Sequence, residues 1–76
     1  MILDIVVNKT NDGFTAEIPS ITGCESWAHD EETVLKKILE LASFYLHTKI
    51  EKFRIDRARR QQNTTIYKLI FNKAIQ

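Results

Sequence analysis

Turn-forming residues are scarce in this chain: two glycines and one proline in 76 residues, with neither type after Gly23. Beyond that point nothing marks a turn by the usual chemistry, so the sequence does not fix where elements end. Cysteine is also scarce. The single Cys24 excludes an internal disulfide, which fits a reducing cytoplasm, and it reads as a small buried strand residue rather than a reactive thiol. No apolar run approaches the roughly 18 residues of a membrane span. The start, Met1-Ile2-Leu3-Asp4, lacks the basic region and cleavage site of a signal peptide. These absences predict a cytoplasmic protein with no membrane contact.

Chemistry-bearing constellations are missing as well. Cys24, His29 and His47 lack metal-ligand spacing, and neither glycine lies in a phosphate-cradling motif. No Ser/His/Asp or Cys/His grouping stands out. A ribonuclease-H-type nuclease needs several carboxylates converging on paired metal ions. Asp4 sits mid-strand, but the other acids lie in turns or at the helix start, and residues 64–76 contain none. The expectation is a protein that is not an enzyme, with no catalytic residue, no cofactor and no metal.

With 43% hydrophobic residues, the chain has material for a single domain over 1–76. A chain of this size buries only about 60% of its unfolded surface, so a partner would add useful stability. The net charge of +1 hides an uneven distribution. Residues 1–48 carry three lysines against eight acids, whereas residues 49–76 carry eight basic side chains against two acids. Such asymmetry marks either a surface for an anionic partner or a basic half meeting the acidic half of a second subunit.

Strand periodicity dominates the first third. Leu3, Ile5 and Val7 share one face, and Ile2, Asp4, Val6 and Asn8 the other. The polar run 8–13 is a hairpin turn, followed by alternation of Phe14, Ala16 and Ile18 with Thr15 and Glu17. Pro19 stops that strand, and Gly23 is the natural site for a positive φ. Cys24, Ser26 and Ala28 then oppose Glu25, Trp27 and His29. Asp30 is placed to cap a helix, with Glu31 and Glu32 at its positive end. Val34, Ile38, Leu41, Ala42 and Tyr45 form one apolar stripe, and Leu35, Leu39, Leu46, Ile50 and Phe53 a second beside it. By propensity, residues 49–62 allow a helical extension, either continuous or as a short helix after a break near Thr48. Thr65 to Ile75 reads as the last strand, with Tyr67, Leu69 and Phe71 opposite Ile66 and Ile70. The predicted fold is α+β, in the order β-β-β-α-β: a four-stranded, mainly antiparallel sheet with one main helix on one face. A lone helix leaves the other face bare, so Ile2, Val6, Ile66, Ile70 and Trp27 become candidates for an apolar surface that needs covering.

The run at residues 12–46 resembles the HicB antitoxin family: Asp-Gly, a strand, a proline, a small loop ending in Gly-Cys, a short strand and an acidic helix start. It departs at Thr22, where the family has proline, and at Ala28-His29-Asp30, where it has Gly-Asp-Thr. The resemblance implies a truncated ribonuclease-H-like fold. It also implies a protein-binding role, in which a HicA-like mRNA-cleaving toxin is neutralised by covering its active surface. The C-terminal DNA-binding segment that many such proteins carry is expected to be absent.

Three functions compete. The first is a non-enzymatic, antitoxin-type binding domain acting as a homodimer, with Trp27, Leu35, Leu39, Leu46, Ile50 and Phe53 as interface candidates. The second is a small nucleic-acid-binding domain using the basic stretch 49–60, with Arg54, Arg57, Arg59 and Arg60 as phosphate contacts. Glu51 and Asp56 interleave there, and a solvated surface explains the stretch more simply. The third is a minimal ribonuclease-H-like nuclease using Asp4.

Overall fold

A computed structural model describes residues 1–72. Strands β1 (Ile2–Lys9), β2 (Phe14–Glu17) and β3 (Glu25–Ala28) form the expected meander. Helix α1 (Glu31–Leu46) follows, then a 3-10 turn (Ile50–Lys52) and two further strands, β4 (Arg54–Gln61) and β5 (Thr64–Ile70). All pair antiparallel in one five-stranded sheet of order β3-β2-β1-β5-β4. The α+β class and the single main helix are as expected. The strand count is five rather than four, and the stretch predicted as a helical extension over 49–62 is instead a 3-10 turn and a strand. The expected continuation of the last strand to Ile75 runs outside the described residues.

Propensity favours helix in the sequence Arg-Ile-Asp-Arg-Ala-Arg-Arg-Gln, yet pairing decides otherwise. A strand here satisfies the outer amides and carbonyls of β5, which would otherwise stand unpaired. It also lets Ile55 pack beside the core. The reversal between β4 and β5 uses Gln62, whose φ of 46° is left-handed, a conformation that glutamine seldom signals. β4 is an edge strand. Its exposed arginines and the bulge between Arg57 and Arg59 discourage further pairing. At the other edge, Lys37 Nζ donates to the Trp27 carbonyl (3.1 Å).

Helix α1 begins as its sequence predicts. Thr33 N–H donates to the Asp30 carboxylate at 2.9 Å, and this backbone hydrogen bond, with a second from the Thr33 hydroxyl, holds Asp30 below the ordinary aspartate pKa. The helix ends at His47, left-handed with φ 53°, a position that glycine usually fills. Val34, Ile38 and Ala42 are buried against Ile5, Val7, Ala16, Ile18, Cys24, Ala28, Leu69 and Phe71. Tyr45, expected on this stripe, is 42% exposed. Of the second apolar row, Leu35, Leu39, Leu46 and Phe53 are half-buried against the same core, Phe53 meeting Phe71 edge to face at 5.4 Å. The chain itself therefore covers most of that row. Ile50 remains 39% exposed.

Gly23 takes the expected positive φ, 83°, in the connection between β2 and β3. Gly13 is needed for a different reason. A Cβ there would stand 2.4 Å from the Ala28 carbonyl oxygen and 2.8 Å from the Trp27 ring, so the indole lies directly over this bare backbone.

Candidate functional site

The helix occupies one face of the sheet, and the register defines what the other presents. Across that open face run four rows of directly opposed residues. The first is Ile2, Ile70 and Arg54, and the second Asp4, Lys68 and Asp56. The third is Glu25, Glu17, Val6, Ile66 and Arg59, and the fourth Trp27, Thr15, Asn8, Thr64 and Gln61. The four aliphatic residues stand on the two central strands. Ile2 is 62% exposed, and Val6, Ile66 and Ile70 are half-buried by their neighbours alone. Alternation in β1 and β5 made this face legible in advance. Its flanks were not, because the placement of Arg54, Asp56 and Arg59 depends on β4 being a strand.

Charge is graded across the face. Glu17 and Glu25 lie opposite each other on adjacent strands, an unfavourable like-charge pair. Between the aliphatic rows, Lys68 Nζ reaches the Asp4 carboxylate at 2.5 Å, so Asp4, the candidate nuclease acid, is engaged in an ion pair. Among the described residues no group of three or more His, Cys, Asp or Glu side chains gathers as a metal site.

Trp27, the only exposed interface candidate on this face, sits at the β3 edge, 39% exposed, with His29 edge-on at 4.7 Å. Leu35, Leu39, Leu46 and Phe53 lie on the helix side and do not join it. The four arginines also divide. Arg54 and Arg59 belong to the open face, whereas Arg57 and Arg60 pair with Tyr67 and Thr65 on the helix side.

A small polar cluster forms on that side. Glu31 accepts from Arg60 (3.1 Å) and from the Tyr67 hydroxyl (2.5 Å). Partial burial, and then the Glu31 hydrogen bond and charge, push the Tyr67 pKa up, while Arg57 and Arg60 oppose the shift. The adjoining cleft, about 120 Å³ and bordered by Val7, Phe14 and Gln62, is well below the ~300 Å³ of ordinary ligand sites. Burial pushes the Cys24 thiol up, away from the reactive thiolate. Phe44, unmarked by sequence reasoning because it breaks both helix stripes, is 75% exposed. Among the described residues no helix is long and apolar enough to cross a membrane.

Fold and surface together describe a small α+β domain with one finished face and one unfinished face. Comparison with protein-family models, with curated proteins and with solved structures gave no match.

Proposed function

We propose that this chain is a non-enzymatic protein-binding domain that acts as a homodimer in the cytoplasm. The observation that carries the reading is the open sheet face, where the pairs Ile2–Ile70 and Val6–Ile66 stand uncovered by the helix, one on each side of the Asp4–Lys68 ion pair. Aliphatic side chains gathered on an open face and rimmed by charged residues suit a protein-protein interaction surface. The finer proposal is an antitoxin of HicB-like type that neutralises a HicA-like mRNA-cleaving toxin by covering its active surface. The ordered run at residues 12–46 supports it. In the structure that run comprises β2, β3 and the capped helix. A dimer joined through the sheet leaves Phe44, Tyr45 and Ile50, all exposed, available to a second protein.

Co-expression with the adjacent reading frame tests this. The expected result is stable co-purification and rescue of growth from the neighbouring gene's toxicity; neither rescue nor a bound protein would overturn the antitoxin assignment. Nucleic-acid binding through Arg54, Arg57, Arg59 and Arg60 is less well supported, because strand alternation sends these side chains to two different faces. A nuclease built on Asp4 is weaker still, given its ion pair with Lys68.

A further inference from the structure

We infer that the open face is self-complementary, and that a second copy of this chain docks on it with the dyad running along the strands between β1 and β5. The inference rests on the reading of this chain as a homodimer and specifies the face, the axis and the contacts by which the two copies join. Stacked sheets keep their strands within about 30° of one another. A two-fold axis in the interface, parallel to the strands, leaves each row at its own level and reverses the order of strands across it. β1 then lies over the partner's β5, and β2 over the partner's β4.

The consequences follow row by row. Ile2 meets the partner's Ile70, and Val6 meets the partner's Ile66, so each aliphatic row closes on its own counterpart. Asp4 meets the partner's Lys68, turning two ion pairs into one alternating group of four charges. Glu17 meets the partner's Arg59. That contact answers the like-charge opposition of Glu17 and Glu25 within each sheet, because neither carboxylate has an ion-pair partner among the described residues. Arg59 is likewise without one there. An isologous interface needs this reciprocity, each contact occurring twice. Four strands overlap in the third and fourth rows, but only β1 and β5 in the first two, because β2 spans just Phe14–Glu17; the buried face is roughly 400 Å² a side. That is the low end for specific interfaces, so a dissociation constant on the order of micromolar is expected.

Charge exchange tests the geometry by sedimentation equilibrium on the whole chain. Wild type is expected to dimerise with concentration. Glu17→Arg and Arg59→Glu should each weaken association about tenfold or more, since each sets like charges together at both symmetric contacts. An equimolar mixture of the two variants should recover wild-type affinity, because both contacts then pair Arg with Glu again. A chain monomeric at hundreds of micromolar, single variants that associate normally, or a mixture that fails to recover would each overturn the inference. Should either variant lose its circular-dichroism spectrum, V6C and I66C take its place. A bismaleimide spanning about 10 Å, the spacing of stacked sheets, must crosslink their mixture into a heterodimer, and its absence is equally fatal. A monomer that still rescues growth sinks this dimer and spares the antitoxin reading; a dimer without rescue does the reverse.

Discussion

Tyr67 shows how far a single side chain depends on neighbours distant in sequence. Its hydroxyl donates to Glu31, 36 positions away, and partial burial first, then this bond, favours the protonated phenol. The folded value therefore lies above the ordinary 10.0. Tyr67 contributes stability that is complete below the ordinary value and disappears as pH rises through the higher folded one. In a Tyr45→Phe background, tyrosinate absorbance should report a single late titration. Glu31→Gln should move that titration back toward the ordinary value, without abolishing the shift that burial causes. Neither partner was visible in the sequence as such. Glu31 read only as a residue suited to the positive end of the helix, whereas the fold also makes it the acceptor for β5 and for Arg60.

At the scale of elements, the first three strands and the helix were legible because period and punctuation agreed. Pro19, Gly23 and Asp30 each stand where their chemistry is used: a strand end, a positive φ and an N-cap. The β4–β5 hairpin was not legible. Its turn residue is Gln62 rather than glycine or asparagine, and arginine-rich β4 carries a helix-like composition. That turn stores removable strain. A non-glycine residue held left-handed costs about 1 kcal/mol or more, so Gln62→Gly should raise urea-unfolding stability by about 0.5–1 kcal/mol. An unchanged or lower midpoint would show that the left-handed backbone at Gln62 is not a source of strain.

For the whole molecule, the question is which of its charges act together. Whole-chain composition marked residues 49–60 as a basic stretch, but the strand splits it: Arg54 and Arg59 flank the aliphatic rows, while Arg57 and Arg60 lean toward Tyr67 and Glu31. Phosphate binding needs cations converging on one backbone. Fluorescence anisotropy with single-stranded RNA should therefore show no saturable binding at near-physiological salt. It should also be insensitive to replacing Arg57, Arg59 and Arg60 by alanine. Tight binding lost in that triple variant, with a steep salt dependence, would restore the nucleic-acid reading.

The sequence by itself determined the two faces of β1, β2, β3 and β5, the helix start and the α+β class. These are properties of period and local hydrogen bonding, which a chain carries with it. Only the tertiary structure decided the fate of residues 49–62, because an unpaired edge on β5 outweighs a modest helix preference. It also decided which charges face each other across the sheet. The register of β1 on β5 is a relation between strands brought together from opposite ends of the chain, so no local stretch encodes it.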